Sequence, residues 1–90
     1  MEFEYDEAKD AANLQRHGLS LRLGRVVYEN RIADAPGKEG RDGETRYLAL
    51  GLVKGRLLAC VNTIRGAAGD VVRIISVRPA SKQERRKWAW

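Results

Sequence analysis

The chain has 90 residues, which suffices for one domain, spanning 1–90, with a single modest hydrophobic core. Its 17 Lys and Arg side chains outnumber the 12 Asp and Glu, and the net charge of +5 favours a polyanionic partner such as nucleic acid. Because the chain contains one Cys and one His, a disulfide framework and a thiolate metal cluster are excluded, and we expect neither a metal nor a cofactor.

The N-terminal part of the chain predicts a short strand followed by two helices. Residues 2–5 alternate between polar and apolar, as in a short edge strand. Asp6 is a suitable N-cap for a helix that ends at about His17, and Ser20 is a suitable N-cap for a second helix. The inner face of the second helix is predicted to consist of Leu19, Leu23, Val26 and Val27.

The middle of the chain predicts a loop and a β-hairpin. Residues 36–44 are rich in glycine and charge and have no periodicity, whereas 46–53 and 56–65 are typical of strands. Lys54-Gly55 suits a two-residue turn between them, so that Leu52 faces Leu57. We expect the two N-terminal helices to cover the hairpin face formed by Leu48, Leu50, Leu52, Leu57, Ala59 and Val61. The opposite face is small and more polar, with Tyr47, Ala49, Gly51, Cys60 and Asn62.

The C-terminal part predicts a third strand over 71–78 and a final helix. Pro79 cannot continue a strand ladder, and Ser81 with Glu84 forms a capping box. The predicted fold is therefore α+β, a small antiparallel sheet with helices in the order β-α-α-β-β-β-α. Since the sequence shows no secretory signal and no apolar run of membrane-spanning length, we expect a cytoplasmic protein without a membrane role.

The last strand and helix are strongly basic, and arginine is well suited to binding phosphate. The basic residues there are Arg73, Arg78, Lys82, Arg85, Arg86 and Lys87, and two tryptophans, Trp88 and Trp90, follow. Cations interleaved with aromatic rings suit RNA, whose bases stack on the rings. Two alternatives are a solvated basic surface, with one Trp closing the core, and a docking surface for an acidic partner segment.

Three blocks of sequence resemble one protein family. The first comprises Tyr5-Asp6-Glu7-Ala8-Lys9, Asn13 and His17-Gly18-Leu19-Ser20; the second comprises Arg46-Tyr47 and Leu50-Gly51; the third comprises Ile75-Ser76-Val77-Arg78-Pro79-Ala80-Ser81 and Glu84-Arg85. In order and spacing they resemble the BrnT family of toxins from bacterial type II toxin–antitoxin systems. The departures are Tyr5 in place of Trp, Arg16 in place of Lys, and Leu21 where an aromatic residue is common.

The resemblance implies a RelE-like fold and a metal-independent endoribonuclease that arrests translation by cutting RNA. It also implies a cognate antitoxin of the BrnA type, which neutralises the toxin, supplies the DNA-binding element and represses the shared operon. Two toxins and two antitoxins would form a heterotetramer, so that operator DNA is bound only through the antitoxin.

Metal-independent RNA cleavage needs a base for the 2′-hydroxyl, a cation for the phosphate and an acid for the leaving 5′-oxygen. The candidate catalytic residues are Arg78, Arg65, Arg46, His17 and Glu84. The candidate RNA-binding residues are Tyr47, Arg73, Lys82, Arg85, Arg86 and Lys87.

Each catalytic candidate has a structural alternative. Arg78 is fixed before a proline and is the first choice for stabilising the transition state, but it could instead form an ion pair with Glu84. Arg46 and Arg65 lie at the same end of the hairpin and could clasp a phosphate or line the rim of the core. The imidazole of His17 could transfer protons, or it could stabilise a helix C-terminus.

If His17 is structural, the base could be Glu84, Lys82 or Tyr47. Strand alternation places Arg78 on the face of Val72, Ile74 and Ser76. It places Arg73 on the other face unless the strand contains a bulge.

Two other functions compete with cleavage. One is a non-catalytic nucleic-acid-binding module, and the other is a former toxin that survives as an antitoxin partner and co-repressor. A metal-dependent nuclease is less favoured, because Asp34, Asp42 and Glu44 show no paired acidic spacing.

Overall fold

A computed structural model describes residues 1–40 and 43–88, which form a five-stranded sheet and three helices. In chain order the elements are β1 (Glu2–Glu4), α1 (Glu7–His17), α2 (Leu23–Glu29), β2 (Arg31–Pro36), β3 (Tyr47–Val53), β4 (Arg56–Arg65), β5 (Val71–Pro79) and α3 (Lys82–Lys87). Trp90 lies outside the described residues. None of the described helices combines the length and the apolar composition needed to cross a membrane.

The sheet has the strand order β1-β5-β4-β3-β2, in which β1 runs parallel to β5 and every other neighbouring pair is antiparallel. The α+β class is confirmed, but the sheet is mixed and contains β2, a strand that the sequence did not predict. Within β2 only alternate residues are partly buried, and the others are exposed. A bulge near Arg31 also disturbs the register of its pairing with β3. Pairing with β3, rather than its own composition, therefore makes this segment a strand.

Two of the predicted helix caps are present. The Asp6 carboxylate accepts hydrogen bonds from the backbone N–H groups of Ala8 (2.8 Å) and Lys9 (3.2 Å). At α3, Ser81 and Glu84 form the reciprocal capping box. The predicted Ser20 cap is wrong, because α2 begins two residues later than expected and the Ser20 hydroxyl donates to Asp10 instead (2.9 Å).

The predicted register of the β3–β4 hairpin is confirmed, with Leu52 opposite Leu57. Its two turn residues, Lys54 and Gly55, both have positive φ, 51° and 77°, as a type I′ turn requires. The turn chemistry and strand periodicity are local properties, which is why the sequence specifies this register.

The helices, however, cover the opposite face of the hairpin from the one predicted. Buried side chains from the helix side and the small-residue face form one core cluster, namely Leu19, Leu21, Val27, Ala49, Leu58, Cys60, Val72, Ile74 and Val77. The helix lies so close to the sheet that a Cβ on Gly51 would collide with the carbonyl oxygen of Val27. Small side chains on this face therefore admit the helix, whereas a row of leucines would hold it away.

The leucine-rich face forms a second cluster on the other side of the sheet. Its buried members are Leu50, Leu57, Ala59 and Ala80, and Trp88 packs against them. Trp88 follows α3, so the C-terminal segment covers this face, as one alternative reading of the tryptophans proposed. Cys60 lies in the helix-side cluster, where burial raises the pKa of its thiol to about 12, and it behaves as a small apolar residue.

A β-bulge in β5 changes which side chains share a face. Val61 pairs with Ser76 and Asn62 pairs with Ile74, so Ile75 has no partner on β4. The extra residue brings Val77, Ile74 and Val72 onto the helix side. The prediction that Arg78 shares a face with Val72 and Ile74 is therefore wrong, whereas Ser76, which pairs with Val61, does lie on the face of Arg78.

The same bulge brings Arg73 to the side of Arg78. Arg78 pairs with Ala59 and Arg73 pairs with Thr63, two residues on the same face of β4. In the prediction from sequence, a bulge was the condition under which Arg73 would not lie on the opposite face from Arg78, and that bulge is present.

Candidate active site

A cleft of about 1150 Å³ lies between α1 and the ends of β3 and β4. Helix α1 supplies one wall, and the segment between β2 and β3 supplies the other. The bulge of β5 contributes Ile75 and Ser76 to its lining. Four parts of the chain that are distant in sequence, α1, the segment before β3, the end of β4 and the bulge of β5, therefore meet at one concave surface.

Basic side chains dominate the described lining of this cleft. They are Lys9, Arg16, His17, Arg46 and Arg65, and the acidic residues are Glu39 and Glu44. Three of the predicted catalytic residues, His17, Arg46 and Arg65, are thus brought together. A concave, cationic surface of this kind focuses positive potential where an anion would bind.

Glu44 lies between the two arginines. Its Oε1 accepts a hydrogen bond from Nε of Arg46 at 3.1 Å and lies 3.1 Å from Nη2 of the same guanidinium. Its Oε2 lies 3.6 Å from Nη2 of Arg65. The side chains of Glu44 and Arg46 are 29% and 28% exposed and that of Arg65 is 51% exposed, so the group is open to a ligand from the Arg65 side.

A hydrogen bond from a side chain to the backbone holds this part of the cleft against the sheet. The Thr63 hydroxyl donates to the carbonyl oxygen of Thr45, between Glu44 and Arg46, at 2.8 Å. The chain that carries the carboxylate and one guanidinium is therefore tied to β4, which carries Arg65 at its end.

His17 is the last residue of α1 and faces the cleft from the opposite wall. It is half-buried, and Gly18, which follows it, ends the helix by donating its N–H to the carbonyl oxygen of Leu14 at 2.8 Å. An imidazole at this place can transfer a proton to or from a ligand in the cleft.

Tyr47 lies beside the cleft. It lines a neighbouring cavity of about 680 Å³ together with Thr63, Gly66 and the shared side chains of Glu44 and Arg65. Its side chain is largely exposed. An aromatic ring next to an arginine offers a stacking surface for a base whose phosphate the arginine holds.

Arg78 and Glu84 do not line the cleft but form a bidentate ion pair. The Nη1–Oε1 and Nη2–Oε2 distances are 2.8 and 3.0 Å. Hydrogen bonding from Arg78, with a further contribution from the backbone of Ser81, lowers the pKa of Glu84 to about 2. This pair connects the end of β5 to α3, which is the structural alternative considered for Arg78.

The remaining predicted RNA-binding residues also lie outside the cleft. Arg73 pairs with Glu4 of β1, with 3.1 Å between Nη1 and Oε1. Four basic side chains on α3 are exposed: Lys82, Arg85, Arg86 and Lys87. The structure thus separates the predicted residues into a cleft group, two ion-paired arginines and a solvated helix.

Sequence reasoning missed Lys9, Arg16 and Glu39, and it considered Glu44 only as a metal ligand. The spacing of Glu44 and Arg46 was a usable signal, because residues two apart in extended chain project to the same side. Lys9 and Arg16 could be assigned only once α1 was known to border the cleft. Among the described residues, no group of three His, Cys, Asp or Glu side chains is placed to hold a metal ion.

A family model described as the ribonuclease toxin BrnT of type II toxin–antitoxin systems matches residues 5–84. The chain belongs to the BrnT family. The fold agrees with this assignment, because the chain resembles the crystal structure of the Brucella abortus ribonuclease toxin BrnT, with a TM-score of 0.65 and 25% sequence identity. That match covers 91% of this chain and 99% of the Brucella chain. No curated protein sequence matches the chain.

Membership of the BrnT family confirms the resemblance carried by the three sequence blocks. It makes the chain one of a family of ribonuclease toxins, and a type II system implies a protein antitoxin as its partner. The cleft is the described surface at which three of the predicted catalytic side chains of this BrnT protein meet.

Proposed function

We propose that this BrnT protein is an endoribonuclease that cleaves RNA without a metal ion, and that the cleft is its active site. The observation that carries the proposal is the meeting of His17, Arg46 and Arg65 in that cleft. The proposed activity needs a proton-transfer group and cations around one phosphate, and these three side chains supply both.

In the proposed reaction the RNA supplies its own nucleophile. The 2′-hydroxyl loses its proton, its oxygen bonds to the adjacent phosphorus, and the bond to the 5′-oxygen breaks as that oxygen gains a proton. The products carry a 2′,3′-cyclic phosphate and a 5′-hydroxyl. Arg46 and Arg65 would stabilise the negative charge on the pentacoordinate phosphate, and His17 would transfer one of the protons. DNA lacks the nucleophile and would bind without being cut.

The other side chains have supporting roles in this proposal. Lys9 and Arg16 would contact flanking phosphates, and Tyr47 would stack on a base beside Arg65. Arg73 of β5 would act as a positioning residue that holds β1 through its ion pair with Glu4. Arg78 and Glu84, first considered for catalysis, would position α3 through their ion pair.

The proposed cellular role follows from family membership. Cleavage of RNA in the cytoplasm would inhibit translation, and a BrnA-like antitoxin would neutralise the toxin in a heterotetramer. Operator DNA would be bound through the antitoxin. The exposed basic residues of α3, Lys82, Arg85, Arg86 and Lys87, would contact RNA or an acidic segment of that antitoxin.

The proposal is tested by comparing arginines inside and outside the cleft. Purified wild-type chain, Arg65→Ala and Arg25→Ala would be incubated with end-labelled RNA in excess EDTA. Arg25 is an exposed arginine that pairs with Glu29 on α2, away from the cleft lining, so it matches the charge change. We expect Arg65→Ala to cut at least ~100-fold more slowly, as removal of one transition-state donor commonly does. Arg25→Ala should cut at the wild-type rate.

The wild-type chain would be tested on free RNA and on RNA bound to translating ribosomes. If it cuts neither, the result would contradict catalysis and favour a nucleic-acid-binding or co-repressor module. Equal loss of cleavage in both variants would contradict the placement of the active site. Circular dichroism of each variant would establish that it is folded.

A further inference from the structure

We propose that the carboxylate of Glu44 occupies the phosphate-binding position between Arg46 and Arg65 in the free protein, and that RNA must displace it. This inference rests on the proposed function, because it takes these two guanidiniums to be the phosphate site. In this proposal the Glu44 carboxylate competes with the RNA phosphate and so limits how tightly the cleft binds its substrate.

The geometry at Arg46 makes the carboxylate and an incoming phosphate compete for the same edge of the guanidinium. Oε1 of Glu44 lies 3.1 Å from both Nε and Nη2, so the carboxylate engages one full edge of the guanidinium. A phosphate that binds arginine in the bidentate manner needs two parallel N–H groups along such an edge. Oε2 extends towards Arg65, at 3.6 Å from its Nη2, so the same side chain also partly engages the second guanidinium.

Gly40 provides the space in which the Glu44 side chain lies. A Cβ on Gly40 would collide with Cγ of Glu44 and would lie 2.7 Å from its Oε1. The two residues are also joined by a hydrogen bond from the Gly40 N–H to the Glu44 carbonyl oxygen, at 2.9 Å. Since Gly40 has no positive φ, alanine can adopt its backbone conformation, and the added methyl group would push the carboxylate away from the arginines.

Displacement has a predictable effect on affinity. Binding of a phosphate breaks the contacts of Glu44 with Arg46 and leaves a carboxylate near the incoming anion. Both effects make binding less favourable and weaken the affinity. Contacts of flanking phosphates with Lys9 and Arg16 would offset that cost. The cleft would therefore bind an extended RNA strand while binding an isolated phosphate weakly.

The test uses the full chain and a fluorescent, uncleavable DNA oligonucleotide, with fluorescence anisotropy measured at fixed ionic strength. Glu44→Gln removes the competing charge, and Gly40→Ala displaces it without changing the net charge. Glu29→Gln is the matched control, because Glu29 also pairs with an arginine but lies on exposed α2. We expect Glu44→Gln and Gly40→Ala to bind about tenfold more tightly, the factor that one charge-assisted hydrogen bond implies, and Glu29→Gln to bind within about twofold of wild type.

Equal affinities of Glu44→Gln and Glu29→Gln would overturn the inference, as would tightening in Glu44→Gln without any in Gly40→Ala. With an RNA substrate, Glu44→Gln should lower KM. A large loss of kcat would make Glu44 a proton-transfer group and would also overturn displacement.

Arg46→Ala separates this inference from the proposed function. If Arg46→Ala weakens binding but Glu44→Gln does not tighten it, displacement fails and the proposed site stands. If Arg46→Ala affects neither binding nor cleavage, the proposed site fails as well.

Discussion

The Asn13 carboxamide hydrogen-bonds to the backbone of β5 where β1 no longer reaches it. Strand β1 pairs only with the stretch from Val71 to Arg73. Further along, Asn13 Nδ2 donates to the Val77 carbonyl oxygen at 2.8 Å, and Oδ1 accepts from the Val77 N–H at 3.3 Å. The same Nδ2 donates to the Leu19 carbonyl oxygen at 2.8 Å. This one side chain therefore satisfies three buried backbone groups and fixes α1 beside the cleft.

We expect Asn13→Ala to lower the free energy of unfolding by about 2–4 kcal/mol, because it leaves buried N–H and C=O groups without partners. Asn30→Ala is a suitable control, since Asn30 donates to the Val26 carbonyl oxygen at an exposed helix end. The control should cost less than about 1 kcal/mol. Urea unfolding of both variants measures the difference, and equal losses would contradict the role given to Asn13.

Part of the candidate site could be predicted from the sequence. His17, Arg46 and Arg65 could be named from the sequence because their chemistry suits RNA cleavage. His17 and Arg46 also fall in blocks that resemble BrnT, and Arg65 ends a predicted strand at the same end of the hairpin as Arg46. The place of Glu44 could not be predicted, since it depends on how the 36–44 segment folds over Arg46. Arg78 was ranked first for catalysis because of its rigid position before a proline, but its ion pair with Glu84, named as the structural alternative, is the arrangement observed.

At the scale of elements, local signals predicted what local interactions determine. The Asp6 cap, the capping box at Ser81 and the turn at Gly55 all depend on neighbouring residues, and all three are present. Three features depend on distant parts of the chain. The strand β2 and the choice of sheet face beneath α2 were missed, and the bulge in β5 was named only as an exception to simple alternation.

The choice of face shows the physical reason. The hydrophobicity of the leucine-rich face predicted that the helices pack against it. Helix α2 instead packs close to the sheet at Gly51, where the absence of a side chain leaves room for it. The leucines are covered instead by Trp88 and Ala80. A pattern of apolar residues identifies two buried faces in this hairpin, and only the size of the side chains indicates which one accepts a helix.

The attachment of α3 to the sheet makes stability depend on pH. Pairing with Arg78 holds the pKa of Glu84 at about 2 in the folded protein, below its ordinary value of 4.5. The ionised carboxylate therefore stabilises the fold above pH 4.5, and this contribution is lost as the pH falls from 4.5 towards 2.

Glu84→Gln should remove this pH dependence and destabilise the protein by about 1–2 kcal/mol at pH 7, because a hydrogen-bonded charge pair is broken. Glu29→Gln, in a solvent-exposed ion pair, should change stability by less than about 0.5 kcal/mol. Thermal unfolding at pH 7 and pH 3 checks both. The same acid sensitivity in wild type and Glu84→Gln would contradict the role of the pair.

For the molecule as a whole, two surfaces among the described residues carry clusters of basic side chains. One is the cleft, where α1, β3 and β4 bring cations around a single concave site. The other is α3, whose basic side chains are exposed on the segment that closes the second core cluster. The net charge predicted an anionic partner, but it could not distinguish a surface that binds RNA from one that also cleaves it.

In the proposed mechanism, the cleft cleaves RNA through the 2′-hydroxyl without a metal ion. The most direct measurement follows a short RNA in excess EDTA, with and without a single 2′-deoxy substitution at the cleaved position. We predict products with a 2′,3′-cyclic phosphate and a 5′-hydroxyl, and loss of that one cut in the substituted RNA. Cleavage at the substituted position, or cleavage that EDTA abolishes, would contradict the account.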